Sequence, residues 1–251
     1  MSAFDQILAE HPYILGTFLS EIAAPNLLRI MKSAGLRFVV VDCEHGYFDY
    51  AQVAAIAAVG NGIGFPVIVR IPSITREPIQ KFLDAGVDGL LAPMTNTAEQ
   101  ARDLVRFGKY APLGARGIST TRPHTEYNPG KLADYLARAN TRVMLFVQIE
   151  TATGVAAAAD IAATAGIDAL FIGPNDLASD YGCPGDFHTP RMQEALRAVT
   201  VAAKNAGKPS GILASDVAFL KECRELGMRI FSCNSEVGLL RQRMKTLCGE
   251  F

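Results

Sequence analysis

Long apolar runs are missing from this chain. None approaches the roughly 20 residues of a membrane-spanning helix, so nothing in the sequence calls for a bilayer. A surplus of positive charge is missing too: Lys and Arg total 24 against 25 Asp and Glu. That balance argues against nucleic acid or an anionic membrane as the main partner, since both demand a basic surface. No Cys-x-x-Cys pair occurs among the five cysteines at 43, 183, 223, 233 and 248. Their odd number fits a reduced, cytoplasmic protein better than a disulfide framework. The start, Met1-Ser2-Ala3-Phe4-Asp5, lacks the basic and apolar regions of a signal peptide. No Pro/Gly/Ser-rich linker, low-complexity tract or charge block divides the 251 residues, so a single domain over 1–251 is expected. Neither Gly-x-Gly-x-x-Gly nor a P-loop occurs, which argues against a nucleotide cofactor.

What is present is a rhythm. Short runs of Val, Ile, Leu and Phe mark strands at Tyr13–Phe18, Phe38–Asp42, Pro66–Arg70, Gly89–Ala92, Arg142–Ile149, Ala169–Ile172, Pro209–Leu213 and Arg229–Cys233. Such runs suit strands buried on both faces. Helical patterns lie between them. Tyr50–Val59 is followed by Gly60 and Gly62, and Thr97–Phe107 opens with Thr97-x-x-Gln100, a near capping box. Gly154–Ala165 stops at Gly166, and Thr189–Ala206 opens on Thr-Pro and stops at Gly207. Ser215–Leu226 and Glu236–Leu247 complete the set. Eight alternations of strand and helix imply parallel strands joined by crossovers, and the length is close to the roughly 250 residues of a (β/α)8 barrel. A doubly wound open sheet is the main rival; polar residues spread over many strand ends favour closure. The stretch Tyr110–Asn140 is rich in Gly, Pro and Thr and breaks the rhythm. It is expected to cover the C-terminal mouth of the barrel, with a helical part near Lys131–Arg138.

Several strands run into residues with chemistry, and a parallel barrel gathers such residues at one mouth. Glu150 and Asp176 each follow an apolar strand and are one strand–helix unit apart. Two neighbouring carboxylates repel unless a cation lies between them. With water and substrate oxygens completing the shell, they suit Mg²⁺ or Mn²⁺, with Co²⁺ also possible. The alternative is that Asp176 caps a turn and Glu150 pairs with an arginine. His45, in Asp42-Cys43-Glu44-His45-Gly46, has acidic neighbours able to orient its ring and raise its basicity; Asp42 is one candidate. Arg70 ends strand three, where a guanidinium needs an anion. The anion is Glu44 or Asp42, a structural use, or a substrate carboxylate or enolate oxygen, the use favoured here. Gln148 lies two residues before Glu150 and so shares its side of the strand. Gly173-Pro174-Asn175-Asp176 is a tight turn whose N–H groups suit a carboxylate. Asp84 on its own reads as a solvated helix-end charge. All eight lysines fall in helices or connections rather than at strand C-termini. Carbonyl chemistry here therefore relies on a metal instead of a Schiff base.

The chain resembles the HpcH/HpaI aldolase family of metal-dependent pyruvate aldolases over nearly its full length. The resemblance rests on Asp42-Cys43-Glu44-His45-Gly46, Val69-Arg70-Ile71-Pro72, Leu83-Asp84-Ala85-Gly86 and Ala92-Pro93-Met94. It continues through Tyr110-Ala111-Pro112-Leu113-Gly114-Ala115-Arg116-Gly117, Val147-Gln148-Ile149-Glu150 and Phe171-Ile172-Gly173-Pro174-Asn175-Asp176-Leu177. It implies Glu150 and Asp176 as ligands of a divalent metal ion and His45 as general base. Asp84 of a neighbouring subunit is implied to raise the basicity of His45, with Asp42 close by. Arg70 is implied to steady the enolate, while Gln148, Gly173, Pro174, the backbone at Asn175 and Leu213 contact the pyruvate half. Asn175 stands where relatives carry a small residue. Ser119–Asn128, expected to touch the aldehyde, differs from the dicarboxylate and sugar-acid enzymes of the family. The implied reaction is reversible cleavage of a 4-hydroxy-2-oxo acid to pyruvate and an aldehyde. The implied assembly is a hexamer of (β/α)8 barrels whose last helix is exchanged between subunits. The rivals are a citrate-lyase-like acyl-CoA lyase and a non-catalytic pyruvate-binding barrel.

Overall fold

An apolar run with no polar face is stable as a strand only if it is covered on both sides, and closure into a barrel with helices outside achieves this. A computed structural model describes residues 3–251; Met1 and Ser2, part of the N-terminal reading above, lie outside the described residues. In chain order the elements are α1 (Ala3–Glu10), β1 (Ile14–Leu19), α2 (Leu27–Ser33), β2 (Phe38–Asp42), α3 (Tyr50–Ile63), β3 (Val67–Arg70), α4 (Arg76–Asp84), β4 (Gly89–Ala92) and α5 (Ala98–Gly108). They continue as α6 (Leu132–Arg142), β5 (Met144–Ile149), α7 (Ala152–Ala156), α8 (Ala158–Ala163), β6 (Ala169–Ile172), α9 (Pro174–Asp180), α10 (Pro190–Asn205), β7 (Ser210–Ala214), α11 (Val217–Glu225), β8 (Ile230–Ser235) and α12 (Glu236–Glu250). The strands pair in sequence order, all parallel, and β8 returns to β1 to close the barrel.

Alternation along each strand divides the core in two. Val39, Val41, Val67, Val69, Leu145, Val147, Leu170 and Ile172 face the helices. Phe38, Val40, Ile68, Leu91, Met144, Phe146, Phe171 and Ile230 fill the barrel. The N-terminal end of the barrel is plugged by α1, an element absent from the sequence reading. Its Phe4 meets Phe38 and Phe146 edge-on, with ring centroids 5.3 and 5.2 Å apart. Two residues beyond Val40, Ile68 and Phe146, the same inward face carries Asp42, Arg70 and Gln148. The sequence pattern therefore changes from apolar to polar at the mouth.

Two expectations are corrected. Helix α3 does not stop at Gly60. It runs to Ile63 and ends on Gly64 in the left-handed conformation, φ +61°. Gly60 serves close packing instead, since a Cβ there would lie 2.5 Å from Val67. The segment Tyr110–Asn140 does not cover its own barrel's mouth. A crossover helix carries the chain back to the N-terminal end of the sheet, so an insertion between α5 and β5 begins and ends there. Tyr110 N–H donates to Asn140 Oδ1, and the buried Lys109 ammonium donates to the carbonyls of Asn140 and Val143. Arg116 reaches the end of α4, and Pro123 and His124 lie against Gly86. The helical part of this segment is α6.

Among the described residues, the last helix is tied down only at its root. Glu236 is buried, and its carboxylate accepts N–H groups from Ser20 at 2.9 Å, Glu21 at 2.6 Å and Ile22 at 3.0 Å. Farther along α12, Leu239, Leu240, Met244 and Leu247 are exposed. Among the described residues, no helix is long and apolar enough to cross a membrane.

Candidate active site

Asp42 and Arg70 are register partners on β2 and β3. Their side chains therefore meet at one level inside the barrel. Arg70 donates from Nε to Asp42 Oδ1 at 3.0 Å and from Nη2 to Oδ2 at 2.6 Å, a fork-to-fork pair. Its Nη1 lies 3.1 Å from Glu44 Oε2, and its guanidinium sits 4.9 Å from the ring centre of Phe18. Burial disfavours the Arg70 charge, but Asp42, Glu44 and Glu150 more than reverse this, so its pKa is raised. The structural use of Arg70, set aside in the sequence reading, is thus fully present. Two of its five N–H groups donate to Asp42 and Nη1 is ion-paired with Glu44, so part of the fork remains for a ligand.

Asp42 does not hold the His45 ring. Its Oδ1 accepts the backbone N–H groups of Glu44 (3.1 Å) and His45 (3.3 Å), which fixes the loop after β2. The acid near the ring is Glu44, whose Oε2 is 3.8 Å from His45 Nε2. The His45 side chain is 71% exposed at the rim. Burial raises the Glu44 pKa, against the opposing pull of Arg70 and His45. Cys43 is pushed up to about 12, chiefly by burial, so it is no thiolate nucleophile.

Glu150 is almost wholly buried. Its Oε1 accepts the Met94 N–H and its Oε2 accepts from Gln148 Nε2. Met94 holds the left-handed backbone, φ +49°, a conformation uncommon for a side-chain-bearing residue and one that clusters at functional sites. Despite these two donors, burial raises the Glu150 carboxyl to about 7, with repulsion from Glu44 and Asp176 adding to it. That mutual repulsion places Asp176 and Glu44 within electrostatic reach of Glu150. Gln148 keeps a buried Oε1 without a hydrogen-bond partner. Asp176 and Asn175 are exposed in the first turn of α9, which begins after Gly173. Leu213 packs partly buried against the barrel interior. Among the described residues, no group of three or more His, Cys, Asp or Glu is gathered as a ready metal cage.

Gly173 shows why a glycine precedes the Pro-Asn-Asp turn. A Cβ there would stand 2.2 Å from Glu150 Oε2 and 2.8 Å from Gln148 Nε2. Gly173→Ala is expected to displace the Glu150 carboxylate and cost about 1–3 kcal/mol. Thermal denaturation checks the cost, and Mn²⁺ binding followed by electron paramagnetic resonance checks the displacement. Wild-type values in both would show the contact to be slack.

Asp84 is not at this mouth. It ends α4 at the opposite end of the barrel, where Arg116 Nη2 donates to its Oδ1 at 2.7 Å and His124 Nε2 lies 3.4 Å away. The structure therefore brings Asp42, His45, Arg70, Gln148, Glu150, Gly173, Pro174, Asn175, Asp176 and Leu213 to one end and leaves Asp84 at the other. Met94 and Phe18 belong to the site and were not singled out for it, while Glu44 was named only as one of two structural partners of Arg70. Their signal was position, since each lies at or just past a strand end.

Eight parallel strands with acids, a guanidinium and an imidazole at their C-terminal ends define the class: a (β/α)8 barrel with a polar site at its mouth. The chain belongs to the HpcH/HpaI aldolase/citrate lyase family, whose model matches residues 15–242. It is 35% identical over 241 residues to a hydroxypyruvate/pyruvate aldolase of Roseovarius nubinhibens, covering 96% of this chain and 93% of that one. It is also 35% identical over 250 residues to a 5-keto-4-deoxy-D-glucarate aldolase of Klebsiella pneumoniae, covering 99% and 96%. Among solved structures, an HpcH/HpaI aldolase from Desulfitobacterium hafniense DCB-2 superposes with a TM-score of 0.92 at 30% identity, covering 99% of this chain and 96% of that one.

Proposed function

We propose that this protein is a divalent-metal-dependent aldolase. It cleaves a 4-hydroxy-2-oxo acid to pyruvate, or a close 2-oxo acid, and an aldehyde, and it joins them in reverse. The observation that carries this reading is Glu150. A buried carboxylate lifted to about 7 beside two further acids is a poor arrangement for the protein alone and a fitting one for a hard cation. The seat that Gly173 leaves for the Glu150 carboxylate and the orphaned Gln148 Oε1 fit the same group.

Glu150 and Asp176 would hold Mg²⁺ or Mn²⁺, with Co²⁺ a further fit. When bound, the cation supplies Lewis-acid polarisation of the 2-oxo group. His45 takes the proton from the C4 hydroxyl, and its exposure on the rim suits exchange of that proton with solvent. The C3–C4 bond then breaks, the aldehyde departs, and the enolate gains a proton at C3 to give pyruvate. The part of the Arg70 fork not bonded to Asp42 is available to the developing enolate oxygen, on a guanidinium already fixed by Asp42 and Glu44. Gln148, Gly173, Pro174, the Asn175 backbone and Leu213 line the 2-oxo acid half.

The same reading takes the protein as a homo-oligomer, a hexamer by the family resemblance, with α12 exchanged between subunits. Two features support exchange. The apolar residues of α12 are uncovered, and Leu15, on the outward face of β1, is 38% exposed where a barrel helix normally packs. Asp84 and Ser119–Asn128, remote from their own mouth, would then serve a neighbour's.

The test is incubation with Mn²⁺, pyruvate and a panel of aldehydes. Adduct should form, vanish with EDTA and return with added Mn²⁺. Pyruvate binding without any adduct would favour a non-catalytic barrel. Activity that survives EDTA and is trapped by borohydride would sink the metal-dependent reading.

A further inference from the structure

Glu150 and Asp176 stand on different elements. Glu150 directly follows β5, and Asp176 lies in the first turn of α9. Their separation therefore depends on how the loops at the mouth are fastened to one another. The turn that follows Glu150 is bonded in two directions, through residues that no step of the chemistry above employs.

On one side it is fastened to the turn after β4. Thr151 Oγ1 donates to Asn96 Oδ1, and the Thr95 N–H donates to the Gln148 carbonyl at 3.1 Å. Thr95 is wholly buried, and its Oγ1 donates to the Ala92 carbonyl at 3.0 Å, which closes the turn around Met94. The Asn96 N–H donates to Gln100 Oε1 at 2.7 Å. Gly154, in α7, lets the two turns touch: a Cβ there would stand 3.0 Å from the Thr95 carbonyl oxygen and 3.3 Å from Asn96 Oδ1. An uncommon backbone conformation persists where its surroundings over-determine it. These contacts do so for Met94, whose N–H meets Glu150 Oε1 at 2.5 Å.

On the other side the turn is fastened to α9. The Ala152 N–H, at the start of α7, has no partner within its own helix and donates to Asp180 Oδ2 at 2.7 Å. Asp180 ends α9, four residues and about one helical turn beyond Asp176. A line of hydrogen bonds thus runs from the Met94 turn through Thr151 and Ala152 to the helix that carries Asp176.

We propose that Asn96, Thr151 and Asp180 are positioning residues, a brace that fixes the separation of Glu150 and Asp176 and so sets the affinity for the divalent cation. The assignment rests on the metal-dependent reading and deepens it by naming what orients the two ligands. The three act through the turn after Glu150 and through α9. Mg²⁺ in particular demands near-ideal oxygen geometry, so a slack brace costs affinity. Removing a group that orients metal ligands typically costs about 10- to 100-fold in binding.

The experiment titrates the EDTA-treated, full-length protein with Mn²⁺ and follows the free ion by electron paramagnetic resonance, so no turnover is needed. Asn96→Ala and Asp180→Ala should each raise the Kd by about tenfold or more. Asp180 is exposed, and its replacement does not threaten folding. Asp180→Asn keeps an acceptor oxygen and loses only the charge, so it should bind Mn²⁺ as the wild type does. An unchanged Kd in either alanine variant would overturn the brace and leave the metal-dependent reading standing. So would an Asp180→Asn loss equal to that of Asp180→Ala, which would assign the effect to charge. A wild type that binds no Mn²⁺ would overturn both.

Discussion

Replacing Arg70 with alanine should lower the unfolding free energy by about 3–5 kcal/mol, because it strands Asp42 and Glu44 in the barrel without their cation. Arg70 is joined to the buried Asp42 by two hydrogen bonds and to the half-buried Glu44 by an ion pair. Turnover should fall by about 100- to 1000-fold, the cost typical of removing one electrostatic stabiliser of an oxyanion. Urea denaturation and steady-state kinetics read the two effects separately. Arg70→Lys should recover part of the stability, since it restores charge, but little of the rate, since an ammonium lacks the planar fork. Asp42→Asn in the alanine background should regain stability, because it removes the uncompensated charge. A stability loss under about 1 kcal/mol with near-normal turnover would mean that the guanidinium is dispensable.

Glu150→Gln should have opposite effects on stability and activity. In EDTA at pH 8 it should stabilise the protein by about 3 kcal/mol, from a carboxyl lifted from 4.5 to about 7 by burial at 1.36 kcal/mol per pH unit. The pH dependence has a definite sign. Below pH 4.5 the wild-type carboxyl is neutral in folded and unfolded chains alike and carries no penalty. Between 4.5 and 7 the unfolded chain ionises first, and wild-type stability falls with rising pH. Above 7 the full difference is present. Denaturation curves at pH 4.5 and pH 8 should therefore converge at the lower value and separate at the higher. Bound Mn²⁺ should reverse the order, stabilising the wild type and not the variant. Its affinity for the wild type should weaken below pH 7 as protons compete for Glu150. Identical pH profiles for the two proteins would show that Glu150 is not strained by burial.

The polar ends of the strands were readable because a two-residue period carries the inward face of β2, β3 and β5 straight from Val40, Ile68 and Phe146 to Asp42, Arg70 and Gln148. Partners were not readable. Nothing in a linear sequence distinguishes Asp42 bound to Arg70 from Asp42 bound to His45; the register of β2 on β3 decides it. The misplaced Tyr110–Asn140 has a different cause. Its composition says irregular, and composition carries no direction. The direction was available from topology, since a chain leaving a crossover helix is at the strands' N-terminal end. The first helix, α1, was missed because its burial comes from rings on β2 and β5, far away in sequence.

The pairing of β1 with β8 has a consequence for synthesis. Ile14 is matched with Ile230, and the loop after β1 waits for Glu236. The first strand of the barrel therefore keeps one open edge until β8 has left the ribosome. Contacts between such distant segments form slowly. A nascent chain stalled before residue 230 would present two unsatisfied strand edges, those of β1 and β7, which are templates for intermolecular pairing. Production of this barrel is thus exposed to aggregation until β8 emerges and its two edge strands can meet.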